Sequence, residues 1–229
     1  SGAETTLVET AKQVAEEKHG LHIKIVEFND YNLPNAALED GSLDVNVYQH
    51  LPYLKAAMVA HGYHLEPVGK TFVYPMGIYS SKLKSLSKLP KKAIVALPND
   101  PSNEARALLL LHKAGLISIK DKGIGGIQDI QSNPKQLQFK EMDAAQLPRV
   151  LPDVDIAVIN TTFAIPAGLS PTRDALFIET KDSPYANLIV SKKDNLKKSQ
   201  IDLFIKSINS EEVKTKAKEL FGDSALPAW

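Results

Sequence analysis

The chain contains no cysteine. Disulfides, thiolate metal sites and a cysteine nucleophile are therefore excluded for these 229 residues. The compartment stays open, because a chain of this length can close its core by apolar burial alone. Net charge is missing too. The 27 Lys plus Arg are balanced by 27 Asp plus Glu, so no excess of one sign draws the chain to a polyanion or an anionic membrane. Nucleic acid is not an expected partner. No apolar run approaches the roughly 20 residues of a membrane span. The chain opens on Ser1-Gly2-Ala3-Glu4 without Met or a signal-like stretch, so any targeting or lipid-attachment segment is expected to have been removed or left out.

Signals for catalysis are equally sparse. His19, His22, His61, His64 and His112 read as surface or helix-end residues, and no H-x-x-x-H or H-E-x-x-H arrangement occurs. Gly168-Leu169-Ser170-Pro171 lacks the second glycine of a nucleophile elbow. Gly123-Ile124-Gly125-Gly126 lacks the spacing of a dinucleotide fingerprint. The paired acids Glu16-Glu17 and Glu211-Glu212 fall on exposed helix faces. No catalytic residue, metal ligand or cofactor is assigned.

What is present is an alternation of helix and strand. Leu7, Val8, Ala11, Val14 and Ala15 recur at helical spacing up to Gly20. Leu21 to Ile25 alternates as a strand, and a short helix from about Pro34 follows. Leu43 to Tyr48 is the next strand, with Val45 and Val47 on one face and Asn46 and Tyr48 on the other. A helix runs from about Pro52 to Gly62. Ala93 to Leu97 is a buried strand leading into a leucine-rich helix. Further strands are expected at Asp155 to Asn160, Phe177 to Glu179 and Asn187 to Val190, and two helices close the chain. This is an α/β pattern. An α/β unit normally opens on a strand, so one more strand is expected upstream of Ser1.

Two Pro-punctuated extended passages, Phe72 to Tyr79 and Lys181 to Val190, flank a middle region with strands and helices of its own. They imply a discontinuous first lobe, 1–75 and 186–229, and an inserted second lobe, 76–185. Such an architecture opens and closes on a hinge of two crossover strands and buries a ligand between its lobes.

Three constellations can carry recognition. In Pro98-Asn99-Asp100-Pro101-Ser102-Asn103-Glu104-Ala105-Arg106, Asp100 is an N-cap and Pro101 a first helical residue. The N–H groups of Ser102 and Asn103 then lie at a positive helix end, and Arg106 offers a planar fork to a carboxylate. The same residues fit a well-capped core helix with Arg106 in a surface salt bridge, and local pattern does not separate the two. Tyr31, Tyr48, His50 and Tyr53 can wall an apolar side chain, a thioether included, or pack into core and rim. Asn160 and Asn187 stand at the mouths of two strands, where an amide can accept from an ammonium and donate to a carboxylate. Singly, each also fits a strand-end residue bonded to local backbone.

Several motifs in order then resemble one family. Phe28-Asn29-Asp30-Tyr31, Asn46-Val47-Tyr48-Gln49-His50, Pro52-Tyr53-Leu54, Thr71-Phe72-Val73-Tyr74-Pro75, Pro98-Asn99-Asp100-Pro101, Ala157-Val158-Ile159-Asn160-Thr161-Thr162 and Asp182-Ser183-Pro184-Tyr185-Ala186-Asn187-Leu188-Ile189-Val190 closely resemble the NlpA/MetQ family, the methionine-binding lipoproteins of bacterial ABC importers. The resemblance spans almost the whole chain. It implies the type II periplasmic binding protein fold, a carboxylate-binding arginine at Arg106, ligand asparagines at Asn160 and Asn187, and an aromatic cage at Tyr31, Tyr48, His50 and Tyr53. Family members commonly carry Phe where this chain has Tyr48. The resemblance also implies a short strand just before the Gly-Ala-Glu segment.

The expected function is thus capture of L-methionine in an interlobe cleft and delivery to the permease of an ABC importer. The implied location is the bacterial cell envelope, in the periplasm or on the outer face of the cytoplasmic membrane. Membrane attachment is implied only through a lipid anchor upstream, and a monomer is expected. The nearest alternatives keep the fold and change the cargo to D-methionine, a methionine derivative or a methionine-containing dipeptide. An adhesin role is a further alternative, as is an enzyme on this fold with His50 as acid/base.

Overall fold

In the computed structural model, which describes residues 1–120, 125–180 and 183–229, the chain forms two compact units. The first comprises Ser1–Tyr74 and Asp182–Trp229, the second Pro75–Lys181. The chain passes from one to the other at Tyr74 and Pro75. The return falls at Lys181 and Asp182, outside the described residues, as do Gly123 and Ile124 of the glycine-rich stretch.

Helix α1 (Glu4–His19) buries Leu7, Ala11, Val14 and Ala15, in keeping with its periodicity, and ends on Gly20 at φ 60°, a conformation that suits a residue without Cβ. The strand expected at Leu21 to Ile25 does not form, because no ladder includes these residues. A strand exists only by pairing, and the segment borders a cavity of about 430 Å³ that Val45 and Val47 also line. After α2 (Leu33–Glu39) comes β1 (Val45–His50), then α3 (Leu51–His61) and β2 (Leu65–Val73). In β1 the buried residues are Asn46, Tyr48, Gln49 and His50, while Val45 and Val47 are only half-buried.

The second unit begins with β3 (Gly77–Tyr79), followed by β4 (Ile94–Pro98) and α4 (Pro101–Lys113). A small hairpin of β5 (Ser118–Ile119) and β6 (Ile130–Ser132) precedes β7 (Gln138–Met142). Then come α5 (Leu147–Val150), β8 (Ile156–Ile159), α6 (Thr161–Ala164), α7 (Pro171–Asp174) and β9 (Phe177–Ile178). Five strands form one sheet in the order β7-β4-β8-β3-β9. β4 runs parallel to β7 and β8, and β3 antiparallel to β8 and β9. Leu108 and Leu111 of α4 pack on Val95, Leu97, Ile156 and Val158 of the sheet. Those strands are apolar on both faces, as parallel strands covered by helices are.

The chain re-enters the first unit with β10 (Ala186–Lys192), α8 (Lys198–Ile208), α9 (Glu211–Phe221) and β11 (Leu226–Pro227). The sheet order is β1-β10-β2-β11, antiparallel throughout. Helix α1 packs against α8 and α9. The ladders on either side of β10 each shift register. Between β1 and β10, Val47 pairs with Ile189 and Gln49 with Leu188, so Tyr48 is the extra residue. Between β10 and β2, Ala186 pairs with Val73 and Leu188 with Lys70, so Thr71 and Phe72 together face Asn187. Bulges re-aim side chains next to functional sites, and these two lie at Tyr48 and Asn187.

Candidate functional site

In the first unit the structure gathers Tyr31, Tyr48, His50 and Tyr53. Tyr48 lies 5.9 Å from Tyr31 and 5.7 Å from Tyr53, centroid to centroid, and Tyr31 and Tyr53 are 6.1 Å apart. These are tilted and edge-to-face contacts, the arrangement ring quadrupoles favour. Tyr53 donates its hydroxyl to the Tyr31 carbonyl at 2.7 Å, tying the loop before α2 to α3. His50 caps α3. Its Nδ1 accepts from the Tyr53 N–H at 3.2 Å, which leaves any imidazole proton of the neutral ring on Nε2. The His50 ring also meets Tyr185 edge-on at 5.0 Å. Tyr185 belongs to the Ser-Pro-Tyr motif, but its place beside His50 depends on strand pairing.

Tyr48 is 5% exposed, and its hydroxyl makes no hydrogen bond among the described residues. Burial, and then the neighbouring Tyr53, push its phenol well above the ordinary range. Beneath the rings, the side-chain amides of Asn35, Asn46 and Gln49 form a buried network with bonds of 2.7 to 3.0 Å, and Asn46 also donates to the Pro34 carbonyl. This network holds α2 on β1 and so fixes the height of Tyr31.

Asn187 stands opposite His50 in the β1–β10 ladder. Its Nδ2 donates to Glu4 Oε2 at 2.9 Å. Glu4 is 1% exposed and also accepts from the Thr71 hydroxyl at 3.1 Å and the Tyr74 hydroxyl at 3.3 Å. Burial pushes the Glu4 carboxyl up, against the hydrogen bonds from Asn187, Thr71 and Tyr74.

In the second unit, Asp100 caps α4 as its spacing predicts, but it also takes up the donors expected to face a ligand. The Asn103 N–H and Nδ2 both reach Asp100 Oδ2 at 3.0 Å, and the Ser102 hydroxyl reaches it at 3.1 Å. The helix end thus carries the chain's own carboxylate, whose pKa burial raises. Asn103 Oδ1 in turn accepts from Asn160 Nδ2 at 3.4 Å. Asn160 Oδ1 is left buried without a partner.

Arg106 forms a buried ion pair instead of the surface bridge that its position also allowed. Its Nε lies 3.1 and 3.0 Å from the two Glu179 oxygens and Nη2 lies 2.5 Å from Oε1, with side chains 4% and 10% exposed. Glu179 also accepts from the Met76 N–H at 2.6 Å. Neither Glu179 nor Glu4 is marked by the sequence: both are single acids beside apolar residues, and nothing local points to their partners. Among the described residues, no group of three His, Asp or Glu could hold a metal, and no helix is long and apolar enough to cross a membrane.

The family model for NlpA lipoprotein matches residues 1–229. The chain belongs to the NlpA lipoprotein family. A family member from Salmonella typhimurium, D-methionine-binding lipoprotein MetQ, is 49% identical over 233 residues, covering all of this chain and 86% of the relative. Among solved structures, a periplasmic substrate-binding protein of an ABC transporter from Coxiella burnetii is 54% identical with a TM-score of 0.97. A nutrient binding protein from Burkholderia cenocepacia bound to methionine is 46% identical, also at 0.97. Both cover 100% of this chain and 97% of their own. The two-unit α/β architecture of this NlpA lipoprotein is thus the fold of periplasmic substrate-binding proteins.

Proposed function

We propose that this chain is the substrate-binding component of a bacterial ABC importer, with L-methionine as its ligand. The observation that carries this reading is a pair of buried asparagines whose carbonyl oxygens accept nothing among the described residues, Asn160 and Asn187, on a chain similar from end to end to proteins named for methionine. An open acceptor suits an ammonium. Arg106 takes the carboxylate with its planar fork, Asn103 steadies Asn160, and the rings of Tyr31, Tyr48, His50 and Tyr53 receive the thioether, whose sulfur is attracted to ring edges. No residue is assigned to catalysis, and the chain is a carrier. It works in the cell envelope, lipid-anchored and monomeric, and hands its ligand to the permease.

A second reading, D-methionine, is favoured by the name of the Salmonella relative, a D-methionine-binding lipoprotein. Calorimetry on refolded, ligand-stripped protein separates the two enantiomers. Binding of L-methionine at micromolar concentrations is expected, and failure to bind either enantiomer sinks the reading. Mass spectrometry of the co-purified ligand distinguishes free methionine from a derivative or dipeptide. Arg106→Lys keeps a cation beside Glu179 but loses the fork, and a loss of roughly tenfold or more in affinity is expected.

A further inference from the structure

We infer that Glu4 is a positioning residue that fixes the Asn187 amide with its oxygen outward, so that the binding site takes a free ammonium in preference to a ligand without one. This rests on the proposed assignment of Asn187 to the amino-acid head. A side-chain amide has one donating and one accepting end, and a half-turn about its last torsion exchanges them. Asn187 alone could present either end. Its Nδ2 donates to Glu4 Oε2 at 2.9 Å, and a half-turn would set two acceptor oxygens against each other. Oδ1 is thereby directed away from Glu4, and nothing among the described residues donates to it.

The arrangement holds when Glu4 is ionised, and equally when Glu4 is neutral with its proton on Oε1. Thr71 Oγ1 lies within hydrogen-bonding distance of both Glu4 Oε1, at 3.1 Å, and the Asn187 backbone carbonyl, at 3.3 Å. When Glu4 is ionised, the hydroxyl proton of Thr71 is drawn to Oε1. When Glu4 is neutral with its proton on Oε1, that proton goes to Thr71 Oγ1, and Thr71 donates onward to the Asn187 carbonyl. Oε2 accepts from Asn187 in both cases. The β2 bulge makes this possible by setting Thr71 and Phe72 against the single residue Asn187. The second unit has the same polarity independently, since Asp100 accepts from Asn103 and Asn103 accepts from Asn160.

The test compares methionine with 4-(methylthio)butanoate, the same acid without its ammonium, by calorimetry on full-length protein. Glu4→Gln can keep its oxygen toward Asn187 and donate its amide to Thr71, so both affinities are expected within about twofold of wild type. Glu4→Leu removes the acceptor. Methionine binding is expected to weaken roughly tenfold, while 4-(methylthio)butanoate changes by less than about twofold. Equal weakening of both ligands, or of neither, overturns the inference. If Glu4→Leu does not fold, NMR of the free wild-type protein decides. The Asn187 side-chain NH₂ is expected to be protected from solvent exchange, and exchange at the rate of an exposed amide overturns the inference. Wild-type protein that binds methionine but shows an unchanged ratio in Glu4→Leu removes this inference alone. Wild-type protein that binds neither compound removes the proposed function and this inference with it.

Discussion

Tyr48 shows what a single atom contributes. Its ring packs between Tyr31 and Tyr53, while its hydroxyl is buried without a partner among the described residues. A buried polar atom left unsatisfied costs about 1–3 kcal/mol. Tyr48→Phe keeps the ring and removes the orphan, so urea unfolding of the ligand-free variant is expected to show a gain of about 1 kcal/mol. Unchanged or reduced stability would mean that the hydroxyl is satisfied in solution. The motif around Tyr48 was legible in the sequence, but the state of its hydroxyl was not, because that depends on neighbours 17 positions before it in the case of Tyr31 and five after it in the case of Tyr53.

At the scale of elements, caps and turns followed local chemistry closely. Asp100 and Pro101 open α4 as their residue types dictate. Asp100→Ala removes the cap and the anchor of Asn103 together. Thermal or urea unfolding is expected to show a loss of about 1–2 kcal/mol, and a loss below a few tenths would show that the cap contributes little. Strands behaved differently. Leu21 to Ile25 has the alternation of a strand and makes no ladder, whereas β7 (Gln138–Met142) pairs with β4 although its sequence carries little apolar character. A strand is defined by its partner, and alternation reports only which faces differ. The bulges at Tyr48 and opposite Asn187 were invisible for the same reason.

For the whole molecule, ligand binding has a thermodynamic consequence that can be measured directly. A ligand that binds only the folded state stabilises it by about 2.7 kcal/mol at a hundredfold excess over Kd. For a chain of this size each kcal/mol moves Tm by about 2–4 °C. Saturating methionine is therefore expected to raise the Tm of stripped wild-type protein by roughly 5–10 °C, and Arg106→Lys is expected to shrink that rise at the same methionine concentration. A full-sized rise in the variant would remove Arg106 from the proposed site.

The sequence by itself determined the α/β class, the helix caps, the family and which residues were candidates, because those depend on residue type and short spacing. Tertiary structure decided which polar atoms are paired and which are left open. Arg106 meets Glu179 across 73 positions and Asn187 meets Glu4 across 183, and no local pattern encodes a bond of that length. The absence of cysteine excluded whole classes of chemistry from the start, whereas the two buried acids came to light only when the chain was folded around them.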